Sequence, residues 1–272
     1  MSAVTPDLVV VGAGPVGMYA AALARRRGLD VLLVEADDVL GGSASRGDGT
    51  MWLPDPGDDA RQYVSALAGA GDGLRDTVVA HGRAVRDSLA DLGVRLLQVP
   101  EPDAHAEPGA GRGRIWEPAP TDARRLKEHR GVLRIVETSI TYSDARRMVV
   151  ALPHPANLPR TLRVLGGRAV LSRVAGRQPT VGGSALVVGL MAALVESEVT
   201  VWRSSPLVGL TGGDTPAVVV RHEGDDTVVR PRLGVVLAAG GFSLPARRKR
   251  WPNARPAIPA ASSSLCSGAE LR

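Results

Sequence analysis

Residues 7–17 read DLVVVGAGPVG, and the interpretation of the whole chain starts from them. The first five are a short apolar run of strand length, rich in β-branched side chains. A helix predicted over 18–27 follows the glycines and ends in three arginines before a glycine, as a helix C-terminus favours. A second predicted strand, 31–34, is closed by Glu35. This order of elements predicts a complete βαβ unit.

The glycines of this unit have the spacing of a dinucleotide-binding turn. Gly12 permits the tight turn after the strand, Gly14 lets the backbone approach a pyrophosphate, and Gly17 allows close packing of helix on strand. The helix then directs its N-terminal amides and the positive end of its dipole at the phosphates. Glu35, 18 residues after Gly17, can accept hydrogen bonds from both ribose hydroxyls and would repel a 2′-phosphate.

A glycine pair, Gly41-Gly42, follows Glu35 after five intervening residues. Domains that bind NAD and domains that bind FAD share the first motif, so this glycine pair is the feature that discriminates between NAD and FAD. The whole spacing is similar to the extended dinucleotide-binding motif of two-dinucleotide-domain flavoproteins. That resemblance implies FAD rather than NAD. The first sixty residues contain no histidine or cysteine that could form a flavin link, so we expect the FAD to be non-covalent.

Composition excludes several other classes of protein. With 44% hydrophobic and 22% charged residues, the chain can bury a core and is not mainly disordered. No window approaches the ~20 apolar residues of a membrane span, and the N-terminus lacks the basic region of a secretory signal. A single cysteine, Cys266, excludes a disulfide framework and a cysteine-built metal site. These points predict a cytoplasmic, soluble protein.

The net charge of +5 does not indicate a nucleic-acid partner. Apart from Lys127 and Lys249, all 33 basic residues are arginines, and they are scattered among aspartates. No basic stripe with interleaved aromatic residues is present, as nucleic-acid binding would favour. We therefore expect a small-molecule ligand and no nucleic acid.

The sequence predicts an α/β, Rossmann-like FAD-binding domain over residues 1–246, with a parallel central sheet and a small β-hairpin. Predicted helices cover 58–69 and 73–92, and a third begins at 183. Predicted strands cover 94–99, 199–202 and 234–238, the last of them buried, and a hairpin covers 217–231. Residues 100–120 are predicted to form a long loop, 152–180 an irregular segment, and 247–272 an irregular tail.

Residues 41–54, GGSASRGDGTMWLP, resemble the G-G-S-T-x-R-S-G-G-x-x-W-x-P segment of the fumarate reductase/3-ketosteroid dehydrogenase flavoprotein family. The tryptophan and proline resemble its 3-ketosteroid Δ1-dehydrogenase branch. Segments 115–118, 180–186, 204–207 and 235–242 fit the same family in the same order. The resemblance implies an enzyme that uses FAD to take a hydride from a carbon beside a carbonyl. In this family a tyrosine base removes the neighbouring proton, and the product is an enone.

The same resemblance implies which residues contact the cofactor. It assigns the pyrophosphate to Gly12, Gly14, Pro15, Val16 and Gly17, and the adenosine ribose to Glu35 and Ala36. It assigns the region of pyrophosphate and ribityl to Gly41, Gly42, Ser43 and Ala44, and the edge of the flavin ring to Ser45, Gly47, Asp48 and Gly49. Leu207 and Val208 would present backbone to the adenine, and Ala239 and Gly240 would support the cofactor. No catalytic residue and no metal ligand is predicted.

Two departures from the family pattern concern chemistry. Where the family has S-G-G beside the flavin, this chain has Gly47-Asp48-Gly49. The carboxylate of Asp48 either lies near the flavin, where it disfavours the anionic reduced form or crowds N5, or points into solvent. The family's tyrosine-containing loop corresponds to residues 102–108, which contain no tyrosine. They contain one histidine, His105, whose side chain is predicted to be solvated. The chain's three tyrosines lie in helical patterns and are interpreted as packing residues: Tyr19, Tyr63 and Tyr142.

Residues 267–272 resemble the turn after which the family's chain continues into a substrate cap and the last FAD-binding segment. We therefore expect an N-terminal portion with the cap missing, which takes a ketosteroid-like substrate only if a cap domain is supplied. Two alternatives stay open: a non-catalytic FAD-binding module or remnant, and a flavin monooxygenase, which shares GAGPVG. A monooxygenase would have Gly-Asp after the late strand, where this chain has Ala238-Ala239-Gly240-Gly241.

Overall fold

The computed structural model describes residues 5–68, 73–136, 140–151, 159, 166, 179–212 and 216–241. Its strands are β1 (Leu8–Val11), β2 (Val31–Val34), β3 (Met51–Trp52), β4 (Leu96–Gln98), β5 (Ile115–Pro118), β6 (Thr121–Asp122), β7 (Pro179–Thr180), β8 (Thr200–Trp202), β9 (Leu207–Leu210), β10 (Val218–His222), β11 (Asp225–Val229) and β12 (Gly234–Leu237). Its helices are α1 (Pro15–Arg26), α2 (Asp58–Ala68), α3 (Gly73–Asp91), α4 (Tyr142–Ala151) and α5 (Gly182–Glu196). Two 3-10 helices cover Ser43–Arg46 and Ala123–Val132.

The central sheet is parallel and has the strand order β12-β1-β2-β8. Val9 and Val10, in the middle of β1, are completely buried because both faces of the sheet are covered. Helices α1 and α5 cover one face, and the antiparallel strands β9, β10 and β11 cover the other. Burial on both faces explains the uninterrupted apolar run in the sequence. The predicted Rossmann-like α/β fold is confirmed.

Helix α5 lies in the interior. Its residues from Gly182 to Leu194 are all buried, and it packs against α1 within the larger apolar cluster. A helix that is apolar on every side belongs inside a protein, where no face needs water. The N-terminal end of α5 is therefore held in a fixed position by the buried helix behind it.

The predicted hairpin is confirmed, although its turn lies earlier than expected. Strand β10 ends at His222 and β11 begins at Asp225, so the turn residues are Glu223 and Gly224 rather than 224–226. Both have positive φ angles, of 53° and 92°, as a two-residue hairpin turn requires. A third strand, β9, was not predicted, because Gly209 and the preceding proline obscure its apolar pattern.

Two predictions about strands were wrong. Residues 100–120 are not one loop, because β5 forms the centre of a small antiparallel sheet with the order β3-β5-β4. The abundance of proline and glycine around this short strand concealed it. Strand β12 is not buried: Leu237 is 58% exposed and the other residues are half-buried. It lies at the edge of the central sheet, where its only strand partner among the described residues is β1.

Element ends differ from the predictions by a few residues. Helix α1 begins at Pro15, earlier than predicted, because proline fits the first position of a helix without losing a hydrogen bond. Strand β4 is limited to Leu96–Gln98. The irregular tail predicted over 247–272, the domain boundary at 246 and most of the irregular segment 152–180 lie outside the described residues.

The loop between β4 and β5 is held by a buried carboxylate. The side chain of Asp103 is fully buried and accepts hydrogen bonds from Trp52 Nε1 at 3.0 Å, the Gly111 amide at 2.9 Å and Arg114 Nη1 at 3.0 Å. Trp52 lies on β3, whereas Gly111 and Arg114 belong to the loop itself. The carboxylate therefore fixes the loop against β3. Across the described ranges, no helix combines the length and apolar character of a bilayer crossing.

Candidate functional site

In the first glycine turn, residues 12–14, a side chain would have no room at Gly12 but would have open space at Gly14. Gly12 has φ of 103°, and a Cβ there would lie 2.4 Å from the Ala238 carbonyl oxygen. A Cβ on Gly17 would lie 1.8 Å from the Gly12 oxygen. Around Gly14, by contrast, among the described residues other than Gly14 and its two chain neighbours, no atom lies within 4 Å of the Cβ position. These distances agree with the predicted steric roles of Gly12 and Gly17, and they leave open space beside Gly14.

That open space lies at the start of helix α1. Gly14 is the N-cap, Pro15 follows it, and the first turn contains no acidic residue. No side chain of the described residues caps the helix, and Val16 is 69% exposed. The positive end of the helix dipole is therefore available to an anion.

The carboxylate of Glu35 stands against the first glycine turn. Its Oε2 accepts a hydrogen bond from the Ala13 amide at 2.6 Å, and its Oε1 accepts one from the Asp37 amide at 3.0 Å. The side chain therefore joins the end of β2 to the turn that follows β1. Sequence reasoning assigned Glu35 a ligand and missed this contact. Ala36, the next residue, is exposed.

The second glycine pair lies directly against the first turn. Gly41 has φ of 114°, and its amide donates to the Ala13 carbonyl oxygen at 2.9 Å. Gly42 has φ of 57°, and a Cβ there would lie 3.3 Å from Gly14 Cα. The two motifs, separated in sequence, therefore meet at the opening beside Gly14.

The segment 43–49, which we call the 43–49 loop, is folded back on the second glycine pair. Ser43 and Ala44 begin its 3-10 turn, and the buried hydroxyl of Ser45 donates to the Gly42 carbonyl oxygen at 2.9 Å. Further along, Asp48 Oδ1 accepts hydrogen bonds from the amide and the hydroxyl of Thr50 at 2.9 and 2.8 Å. The sequence left Asp48 either near the flavin or in solvent; its carboxylate is half-buried and closes a turn onto Thr50.

The 43–49 loop rests on the N-terminus of α5 through contacts between backbones. The Gly183 amide donates to the Gly47 carbonyl oxygen at 3.0 Å. A Cβ on Gly183 would lie 1.7 Å from the Ala44 oxygen, and a Cβ on Gly49 would lie 2.4 Å from the Gly182 carbonyl carbon.

A side-chain contact also holds the 43–49 loop against α5. The buried hydroxyl of Ser184 donates to the Ser45 carbonyl oxygen at 2.9 Å, and it accepts from the Val136 amide at the same distance. In the sequence, Gly182, Gly183 and Ser184 fall within segment 180–186 of the family resemblance, and no site role was predicted for them. The available signal was a Gly-Gly-Ser start to a wholly apolar helix.

The segments assigned to the adenine side and to cofactor support lie near Glu35 and the first glycine turn. The Glu35 backbone amide donates to the Trp202 carbonyl oxygen at 2.8 Å, and the Ser205 amide donates to the backbone carbonyl oxygen of Glu35 at 2.7 Å. Strand β9 begins two residues after Ser205 and includes the exposed Val208. Ala239 and Gly240 follow β12, whose end lies against Gly12. The predicted contact residues therefore gather where the parallel strands end, which is the usual ligand-binding edge of such sheets.

The tyrosines do not provide an obvious base. Tyr19 shares a hydrogen bond with Ser88 Oγ, and Tyr63 is buried with its ring centroid 5.7 Å from that of Trp52. Burial raises the pKa of Tyr63, and burial together with the nearby carboxylate of Asp48 raises the pKa of Tyr142. Both phenols are therefore neutral around pH 7.

By residue type, His105 and the acidic side chains are possible ligands to a metal ion. The backbone amide of His105, a half-buried residue, donates to Tyr63 Oη at 3.2 Å. In the part of the chain that the structure describes, no three or more histidine, cysteine or acidic side chains are grouped to hold a metal ion.

Comparison with known proteins gives a consistent result. A family model described as FAD binding domain matches residues 7–270. A 3-oxosteroid 1-dehydrogenase of Mycolicibacterium smegmatis is 32% identical over 266 aligned positions, covering 87% of this chain and 47% of that protein. A 4-oxocyclohex-2-ene-1-carboxylate 5-dehydrogenase of Sinomonas cyclohexanicum is 30% identical, covering 91% of this chain and 47% of that protein.

A solved structure shows the same arrangement of elements. The crystal structure of 3-ketosteroid delta1-dehydrogenase from Sterolibacterium denitrificans, in complex with 1,4-androstadiene-3,17-dione, matches with a TM-score of 0.75 and 26% identity. The match covers 90% of this chain and 50% of that one. The chain thus spans about half the length of the relatives it matches.

The geometry fits the cofactor that these matches imply. Gly14 leaves room for a pyrophosphate beside an uncapped helix N-terminus, and Glu35 supplies a carboxylate next to that opening. FAD is therefore the cofactor of this fold. The family model covers nearly all of the residues. The chain belongs to the FAD binding domain family.

Proposed function

We propose that this chain is the FAD-binding portion of a dehydrogenase resembling 3-ketosteroid Δ1-dehydrogenase. Such an enzyme moves a hydride from a carbon beside a ketone to the flavin and leaves an enone. The observation that carries the proposal is the meeting of the two glycine motifs at Gly14 and Gly42, in a chain similar to ketosteroid dehydrogenases along most of its length. We propose a cytoplasmic location for the protein.

The chain's own residues would bind and orient the cofactor. The amides of Val16 and Gly17, at the uncapped start of α1, would donate to the pyrophosphate. Each carboxylate oxygen of Glu35 already accepts one amide hydrogen bond and has a further lone pair, which would accept from a ribose hydroxyl. The backbone of Val208 would face the adenine, and Ala239 and Gly240 would support the cofactor from the end of β12.

The 43–49 loop would form the wall beside the flavin ring. Because its backbone is seated on α5, it would hold the ring in one position. When bound, FAD supplies the hydride acceptor, and it would be held without a covalent bond. Tyr63 and Tyr142 have raised pKa values and would not act as phenolate bases near neutral pH.

The substrate side would come from outside these residues. The chain spans about half of its ketosteroid dehydrogenase relatives, and we propose that a cap domain supplies the base, the donors to the ketone and the exclusion of water. A base contributes ~10²–10⁴ in rate and an oxyanion-type donor ~10²–10³. We therefore expect this chain alone to turn over a ketosteroid at a rate near background.

Two measurements test the proposal. Acid precipitation of the purified chain should release FAD in equimolar amount; stoichiometric NADP, or flavin retained on the denatured chain, would contradict the cofactor assignment. Anaerobic mixing of the flavin-loaded chain with a 3-ketosteroid should leave the flavin absorbance unchanged. Bleaching with formation of the enone would show catalytic groups within these residues. Activity restored by a separately expressed cap domain would favour a dehydrogenase portion over a non-catalytic module.

A further inference from the structure

Two aromatic rings join the central sheet to the three-stranded sheet beside Glu35. Trp202 ends β8 in the central sheet, and His222 ends β10 in the other sheet. The rings are stacked, with centroids 4.0 Å apart and planes 5° from parallel. The stack therefore ties the ends of two strands that belong to different sheets.

A buried serine decides which ring nitrogen of His222 carries a proton. Ser205 is completely buried, and its Oγ lies 2.7 Å from the Arg203 carbonyl oxygen and 2.8 Å from His222 Nδ1. A hydroxyl has one proton and a carbonyl oxygen can only accept, so the Ser205 proton goes to Arg203. His222 must then donate from Nδ1 to Ser205 Oγ.

This unit holds both sides of the turn that leads into β9. The Glu35 amide donates to the Trp202 oxygen, and the Ser205 amide donates to the Glu35 oxygen. The Arg221 amide, next to His222, donates to the Pro206 oxygen at 3.0 Å. Strand β9 starts one residue later. The position of this strand relative to Glu35 is therefore set by the contacts of His222 and its neighbour.

We propose that His222 is a positioning residue for the adenosine half of the cofactor, acting through Ser205 and Trp202 on the β8–β9 turn. The proposal rests on the proposed function, in which Glu35 faces the ribose and Val208 faces the adenine. The residues assigned to the pyrophosphate and the flavin ring are held separately, by α1 and α5. Loss of His222 should therefore weaken adenosine recognition and leave the environment of the flavin ring unchanged.

Two substitutions separate the hydrogen bond from the stack. His222→Phe keeps an aromatic ring and removes the donor to Ser205, so Kd for FAD should rise about tenfold, the effect of one ordinary hydrogen bond. His222→Asn removes the ring and places an amide donor near the position of Nδ1, so Kd should stay within about threefold of the wild type. A rise of about tenfold with His222→Asn would overturn the route through Ser205. The visible absorption spectrum of bound flavin should be the same in all three proteins.

The experiment measures Kd for FAD and for ADP, a probe of the adenosine half, by calorimetric titration. Val229→Ala is the control, because Val229 is buried in the same three-stranded sheet and pairs with Val218, four residues along β10 from His222. The proposal expects His222→Phe to raise both Kd values by the same factor and Val229→Ala to raise neither. It is overturned if His222→Phe has no effect, or if Val229→Ala weakens both ligands equally. A wild-type chain that binds neither ligand would instead overturn the proposed function.

Discussion

Two substitutions at Glu35 separate its support of the first glycine turn from the contact we propose with the ribose. Glu35→Ala removes both acceptors. The Asp37 amide lies in an exposed segment and can turn to water, but Ala13 is completely buried and its amide loses its partner. An orphaned buried donor costs about 1–3 kcal/mol, so the cofactor-free chain should lose about that much unfolding free energy.

Glu35→Gln should behave differently. Its amide oxygen can still accept from Ala13, so the cofactor-free chain should remain within about 0.5 kcal/mol of the wild type, as most mild substitutions do. The amide is neutral and has one acceptor oxygen instead of two, so one ribose hydroxyl loses its acceptor and the other loses its charged partner. Kd for FAD should therefore rise by roughly tenfold or more, since hydrogen bonds to charged groups contribute about 1.5–3 kcal/mol.

The assay is urea denaturation of the cofactor-free chain together with fluorescence titration of FAD. Asp38→Ala is a matched control, because this nearby acid is exposed and should change neither quantity. If Glu35→Ala unfolds at the wild-type free energy, the Ala13 contact contributes nothing and the reasoning fails. If Glu35→Gln binds FAD as tightly as the wild type does, the ribose assignment fails.

Three further predictions concern other residues. Gly14→Ala should leave the unfolding free energy of the cofactor-free chain nearly unchanged, because its Cβ enters open space, and should greatly weaken FAD binding, because that space is where the pyrophosphate is proposed to lie. Gly17→Ala should destabilise the chain severely, because its Cβ would lie 1.8 Å from the Gly12 carbonyl oxygen. Denaturation and FAD titration of both variants check this. Asp103→Asn leaves Arg114 without its charged partner and should cost about 3 kcal/mol or more in urea denaturation, whereas Asp226→Asn, in an exposed pair with Arg221, should cost very little. Burial disfavours the phenolate and raises the pKa of Tyr63 above its ordinary value of 10.0, so the unfolding free energy falls as pH rises from that value through the folded-state pKa. Tyr63→Phe should remove this part of the alkaline destabilisation, and unfolding measured on both sides of pH 10 compares the two proteins.

Local spacing was enough to predict the βαβ unit and the steric roles of its glycines. Gly12 and Gly17 are constrained by neighbours that the motif itself brings close, so their surroundings follow from the local sequence. The second glycine pair was also predicted to join the same site, because its spacing from Glu35 is part of one extended motif. Its contact with Gly14 agrees with that reasoning.

Features that depend on distant partners were not predictable from spacing. The exposure of β12 depends on which strands flank it, and an apolar run does not reveal that. The contact of Glu35 with Ala13 competes with its expected role toward a ligand, and either use suits a carboxylate. Gly182 and Gly183 looked like an ordinary helix start, because the loop that needs their missing side chains lies over 130 residues earlier in the sequence.

The seating of the 43–49 loop on α5 also bears on hydrogen exchange. Surface loops usually exchange their amides through small local openings, at rates far above those of the core. The Gly183 amide, which bonds to Gly47, belongs to a helix whose first thirteen residues are all buried, so it cannot open without disturbing the interior. We expect it to exchange only through large-scale unfolding. A loop held in this way has little conformational freedom left to lose, so little ordering entropy should oppose the binding of a cofactor.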